Sequence, residues 1–182
     1  MKVLIDACVL YPTVMREMVL GAADAGLFTP LWSPRILEEW ARAAARLGPE
    51  SEAISRGEIA LLGGRWPAAS VTPRDGELRR LWLPDENDIH VLAAATSGGA
   101  DVLLTMNNKD FPRHTLADEG LRRESPDLFL KDLLDRYPAE ITGVATRVLA
   151  QAIALSGEDW TIRRLMKKAR LPRLGKALEA RG

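Results

Sequence analysis

The chain has 182 residues, 47% of them hydrophobic and 27% charged, with 25 Lys/Arg balancing 25 Asp/Glu. This is ordinary globular composition, enough for one well-buried domain with a helical appendage, and it gives no case for disorder. The longest apolar runs, such as residues 91–95 and 102–104, fall far short of the roughly 20 residues of a spanning helix, and the start lacks a signal-peptide pattern; a cytoplasmic protein is expected.

Cys8 is the only cysteine, which excludes an internal disulfide and a multi-cysteine zinc site. Small apolar packing is its expected role. A nucleophilic role would need a histidine base, and nothing in the sequence brings either His90 or His114 to it. The neutral total hides a split, because residues 158–182 carry eight Lys/Arg against three acids. Such a tail could meet nucleic acid phosphates or be a solvated helix face.

In chain order, residues 2–5 read as a buried first strand. Met15, Met18, Val19 and Ala22 have helical spacing and predict a helix over 14–25, with Gly26 as its stop. Residues 28–32 form a short extended piece. Ser33-Pro34 then opens a second helix with serine as cap and proline at the first position, running through Ile36, Leu37, Trp40 and Ala44 to Gly48-Pro49. A third helix is expected over 50–62, stopped by Gly63-Gly64, and a short strand at 69–72 precedes a polar loop. Leu83-Pro84-Asp85 begins a helix that Gly98-Gly99 closes. Residues 101–105 are a brief apolar strand of the kind a parallel sheet buries on both faces. Helices follow at 126–136 and 138–155, with a final pair across roughly 158–180. The alternation of strands and helices belongs to an α/β sandwich with a mainly parallel sheet.

The chemistry gathers at acids. Asp6 directly follows Val3-Leu4-Ile5, so a carboxylate stands at the carboxyl end of a buried strand, where ligands gather in open α/β sheets and an unpaired charge is costly. Right-handed crossovers place the end of the 101–105 strand on the same edge, so Asp6 and the residues after Thr105 are expected to face one crevice. Glu39 precedes Trp40 on a helix whose apolar stripe turns to the sheet. Its neighbour Glu38 lies about 100° round the helix, so only one of the pair points inward, and Glu39 is preferred. Asp85 and Asp88 share a helix face. They also fit a helix cap with an acid in the first turn, needing no metal. A hard cation such as Mg²⁺ or Mn²⁺ suits a few convergent carboxylates, and the set reads as a divalent-metal site.

Asp6, Glu39, Asp88 and the segment Thr105-Met106-Asn107-Asn108-Lys109-Asp110-Phe111 resemble, in order, the PIN-domain nucleases and in particular the VapC-like toxins of toxin-antitoxin pairs. The stretch from Pro84 to Ala95, the opening Val-Leu-Ile-Asp-Ala-Cys-Val-Leu-Tyr-Pro, and Trp32-Ser-Pro-Arg-Ile-Leu-Glu-Glu-Trp40 carry the same likeness. The resemblance implies a three-layer α/β/α sandwich over residues 1–135, with 136–182 as a helical C-terminal extension. It also implies Mg²⁺- or Mn²⁺-dependent cleavage of RNA, a cognate antitoxin and a homodimer. Residue by residue, Asp6, Glu39 and Asp88 take the catalytic and metal-ligating positions, with Asp85, Thr105, Asn107 and Asp110 in support. Arg16, Arg35 and Lys109 are the candidate RNA contacts nearest in sequence. The chain departs from the pattern at Asn107, where many relatives carry aspartate. Asparagine offers an oxygen but no charge, and Asp110 could take the role. A degenerate PIN domain that binds RNA or a protein without cutting is the alternative. A haloacid-dehalogenase-type phosphatase fits poorly, since Cys8 stands where that family needs a second aspartate.

Overall fold

Burial of short apolar segments organises the chain into two compact units. The computed structural model describes residues 1–181; among them one unit comprises 1–11 and 29–124, the other 12–28 and 125–181. The division expected from the sequence, at 135/136, does not coincide with that between the units. The segment 12–28, with its helix at Thr13–Asp24, contributes to the second unit although it lies early in the chain, and no local signal reports such a distant packing partner.

In the first unit, β1 (Lys2–Ile5), β2 (Thr29–Leu31), β3 (Val102–Leu104) and β4 (Arg122–Glu124) form a wholly parallel sheet in the order β2-β1-β3-β4. The central strands are the apolar ones, and Val3, Leu4, Ile5, Val102, Leu103 and Leu104 are fully buried. Strand β4 was not expected. Its sequence Arg-Arg-Glu has no apolar alternation, and it can be a strand because it occupies a sheet edge. The strand expected over 69–72 reduces to a single parallel bridge between Trp32 and Ser70.

Helices α1 (Ala7–Leu10), α3 (Pro34–Ala45), α4 (Pro49–Arg65), α5 (Asp75–Arg80), α6 (Ile89–Gly98) and α7 (Arg113–Asp118) complete this unit. Ser33 caps α3 as expected, its hydroxyl accepting from the Ile36 N–H at 3.2 Å. Helix α4 continues through Gly63-Gly64 to Arg65. Two glycines cost a helix about 1 kcal/mol each, but buried Leu62 anchors the last turn and Trp66 packs edge-on to Trp32 at 6.0 Å. Helix α6 packs beside β1 and β3 with His90 to Ala95 all buried, and Gly99 ends it in the left-handed conformation (φ 61°).

The second unit is helical. It contains α2 (Thr13–Asp24), α8 (Pro126–Arg136), α9 (Pro138–Ser156), α10 (Ile162–Lys168) and α11 (Pro172–Glu179). Helix α2 packs on α8 and α9, and α8 packs on α11. The approach of α2 to α9 is close enough that Gly21 has no room for a side chain, since a Cβ there would lie 2.5 Å from Val144 Cγ1. Phe28 meets Phe129 edge to face at 5.3 Å. Asp127 secures the start of α11, accepting from the Arg173 and Leu174 N–H groups at 3.0 and 2.9 Å. No helix among the described residues is long and apolar enough to cross a membrane.

Candidate metal centre

The site begins with register. Ile5 pairs with Leu104 in the parallel β1–β3 ladder, and the next residue continues it, the Asp6 N–H donating to the Leu104 carbonyl at 3.1 Å. Thr105 extends β3 in the same way, donating to the Glu124 carbonyl at 3.1 Å. The carboxyl ends of the two central strands therefore deliver Asp6 and Thr105 side by side. The Thr105 hydroxyl donates to Asp6 Oδ2 at 2.6 Å, and the Cys8 thiol donates to the same oxygen at 3.1 Å. Asp6 and Thr105 are both buried.

From Thr105 the network passes to the following loop. Thr105 Oγ1 accepts from the Asn107 N–H at 3.0 Å, and Asn107 Nδ2 donates to Asp88 Oδ2 at 3.0 Å. Asn107 Oδ1 accepts from the Asp110 N–H at 3.4 Å, which fixes the amide with its nitrogen toward Asp88. An aspartate could not make the bond to Asp88. The amide thus joins two acidic segments while adding no further repulsion.

Asp88 ends a short 3₁₀ turn (Glu86–Asp88) that leads into α6. Asp85 caps that turn, its Oδ1 accepting from the Asn87 N–H at 2.9 Å. Asp88 makes no such cap, so the capping account explains Asp85 and leaves Asp88 without a structural reason. Side-chain oxygens of Asp85, Asp88 and Asp110 lie within 4.8 Å of one another. Half-burial, followed by the charges of Asp6, Asp85 and Asp110, pushes the Asp88 carboxyl up to about 6. Convergent hard oxygens with unrelieved repulsion are the donor set that suits a small divalent cation.

Asp6 and Glu39 are not members of that three-oxygen group. Asp6 is tied to it through Thr105 and Asn107, and its charge is felt at Asp88. Glu39 is held from another side. His90 Nε2, on a ring only 4% exposed, stands 2.8 Å from Glu39 Oε1, although neither ring nitrogen makes an aligned hydrogen bond. Arg35 Nε donates to the same oxygen at 3.3 Å, and Arg35 Nη2 donates to the Asn87 carbonyl at 3.3 Å. Burial opposes the Glu39 charge, but close His90 and then Arg35 outweigh it and leave the carboxyl below its ordinary range. Glu38 faces elsewhere, pairing with Arg42 and Arg56, each at 3.0 Å. Helix phase thus turns the two glutamates to different partners, Glu38 to Arg42 and Arg56 and Glu39 to His90 and Arg35.

Of the cationic candidates, Arg35 lies beside the turn carrying Asp88, and Lys109 is exposed in the loop next to Asp110. Arg16 is buried on α2 in the second unit, 3.8 Å from Glu17. Sequence reasoning missed three residues that shape the centre. Cys8 was read as apolar packing, yet burial, followed by the Asp6 charge, pushes its thiol up to about 12, so it stays a neutral donor to Asp6. It also accepts from the Met106 N–H at 3.3 Å. His90 stands 2.8 Å from Glu39 Oε1 and favours its charged form. Arg123 donates to the Asn108 and Phe111 carbonyls at 2.6 and 2.7 Å and so holds the loop that carries Asp110. A histidine two residues after an acid was the available signal for His90. Arg123 gave none, because β4 itself was illegible.

Comparison with known proteins adds an independent finding. Residues 2–109 match the family described as PIN domain. A protein of Mycobacterium tuberculosis (strain ATCC 25618 / H37Rv) named "Putative ribonuclease VapC50" is 36% identical over 87 residues, covering 42% of this chain and 51% of that protein. The chain thus spans about half the length of this curated relative. No solved structure matches.

Proposed function

The chain belongs to the PIN-domain family, and on that premise we propose that it is a divalent-metal-dependent endoribonuclease, the toxin of a toxin-antitoxin pair. The observation that carries the reading is the convergence of Asp85, Asp88 and Asp110 oxygens within 4.8 Å, tied through Asn107 and Thr105 to Asp6. The M. tuberculosis relative's name supports RNA as the substrate and a VapC-type role. That likeness also supports an antitoxin partner, and a homodimer is proposed on the family resemblance alone.

Asp6, Glu39 and Asp88 are the proposed catalytic and metal-ligating residues. Asp110 and Asp85 supply the negative charge that Asn107 does not. A bound Mg²⁺ or Mn²⁺ would supply an acidified water and neutralise charge building on the phosphate. The residues of the chain do the positioning. Thr105 and Cys8 both donate to Asp6 Oδ2, which fixes the carboxylate and leaves Oδ1 free of those two bonds. Asn107 orients Asp88. His90 and Arg35 both stand against Glu39 Oε1, which fixes that end of the carboxylate. Arg35 and Lys109 place positive charge beside the acids, where an RNA phosphate would otherwise be repelled.

The test is cleavage of a single-stranded RNA by the purified protein with Mg²⁺, with Mn²⁺ and with chelator, set against Asp6→Asn and Asp88→Asn. Each substitution and the chelator should lower the rate by about 100-fold. Equal residual cleavage by the three proteins would mean contamination and a chain that binds without cutting. In cells, overproduction should slow growth and Asp6→Asn should restore it.

A further inference from the structure

Four of the five tryptophans are accounted for by packing. Trp32, Trp40 and Trp160 are 1%, 2% and 7% exposed, and Trp66 is half-buried against Trp32. Trp82 is 65% exposed. Its indole makes no hydrogen bond, ring contact or cation contact among the described residues. Tryptophan is on average a highly buried residue, because it presents 150 to 250 Å² of mostly apolar surface. A solitary ring left in water has no structural account in this unit.

Its backbone is the opposite of loose. Leu81 and Leu83, on either side, are 7% and 1% exposed, and the Leu81 N–H donates to the Glu77 carbonyl at 3.1 Å. Leu81 is extended (φ −78°, ψ 147°), and successive side chains of an extended segment alternate sides. Two anchored leucines therefore hold the indole outward on a fixed base. Trp82 also precedes Asp85 by three residues, a span of at most about 11 Å. That distance covers no more than about three stacked nucleotides of a strand. Arg35, 57% exposed and bonded to the Asn87 carbonyl, puts a guanidinium against the same turn.

We propose that Trp82 is a base-stacking platform of the substrate-binding surface, on which a nucleobase of single-stranded RNA rests next to the acidic centre. Every base has a π-face, so a rigidly presented indole adds affinity without choosing a sequence. It also selects against duplex, whose bases are already stacked and cannot reach the ring. The platform rests on the ribonuclease reading for its substrate but not for cleavage.

The test is therefore made by binding, with the Asp6→Asn protein, which holds the strand without cutting it. A labelled single-stranded RNA and an abasic strand of the same length are titrated against this protein alone and with Trp82→Ala or Trp82→Phe added. Trp82→Ala should weaken binding of the base-bearing strand about tenfold. Trp82→Phe should restore most of the loss, and all three proteins should bind the abasic strand equally. Thermal melting should be the same for the three, since the ring covers nothing. Unchanged affinity of Trp82→Ala for the base-bearing strand overturns the platform and points to a protein-docking role, leaving the ribonuclease reading standing. An equal loss on the abasic strand overturns it as well. Failure of Asp6→Asn to bind either strand removes the RNA reading and the platform with it.

Discussion

At Asp88 a half-buried carboxylate feels three other acids, and its proton is held up to about 6 instead of being lost near 3.8. Between those values the folded chain keeps a proton that the unfolded chain has released. Stability from this group is therefore fully present below about pH 4 and falls as pH rises through about 6. After allowance for its partial exposure, the loss in the metal-free protein is about 1–2 kcal/mol. Urea unfolding of the chelated protein at pH 4.5 and 7.5, compared with Asp88→Asn, should show the variant losing less stability across that interval. Identical pH dependence in the two proteins would mean that Asp88 is not under repulsion. Much of this centre was readable beforehand. Asp6 stood out because a charge after three buried residues is hard to explain otherwise, whereas helical phase separates the partners of Glu39 from those of Glu38 without bringing Glu39 into the converging group of acids. Cys8, His90 and Arg123 were not readable in the same way. Their roles depend on which donors the fold brings within about 3 Å of a given oxygen, and a spacing along the chain does not encode that.

Elements were legible where a local signal coincided with their burial. Ser33-Pro34 and Ser125-Pro126 mark α3 and α8 because a capping oxygen and a missing N–H are local chemistry. Strand β4 and the short helices α5 and α7 escaped, since a three-residue edge strand and six-residue helices carry too few apolar positions to show a period. Gly63-Gly64 misled for the opposite reason: the stop signal was present, but the buried Leu62 and the Trp66–Trp32 contact override it. Gly21 in α2 gave no warning either, and it turns out to face α9 too closely to carry a side chain. A methyl at Gly21 would meet Val144, which is 1% exposed and stiff about its first torsion. Gly21→Ala should cost about 1–3 kcal/mol by overpacking. The double variant Gly21→Ala/Val144→Ala should be less destabilised than the sum of its singles, as measured by urea midpoint. Strict additivity would show that the two helices can separate without loss.

For the whole molecule, the division into units bears on how the chain can be cut. A boundary at 135/136 looks natural in the sequence, because the family likeness weakens beyond it and the basic tail lies there. Residues 12–28 nevertheless belong with 125–181. In that unit α2 packs on α9, and α8 packs on α9 and α11. A fragment of residues 1–135 keeps α2 and nearly all of α8 but loses α9, α10 and α11. It leaves Met15, Met18, Val19, Ala22, Phe129, Leu130, Leu133 and Leu134, all buried in the intact chain, without part of their cover. Full burial of one large apolar side chain contributes about 1.5–3 kcal/mol. Partial loss at the seven larger side chains among them is therefore comparable with the roughly 5–15 kcal/mol that holds a whole domain folded. The fragment should bind an apolar-surface dye, associate at micromolar concentration and melt without cooperativity, even though it retains every acid of the candidate metal centre. A monomeric fragment with a cooperative transition and no dye binding would show that the first 135 residues fold without the C-terminal helices, and that the helix 13–24 finds its cover elsewhere.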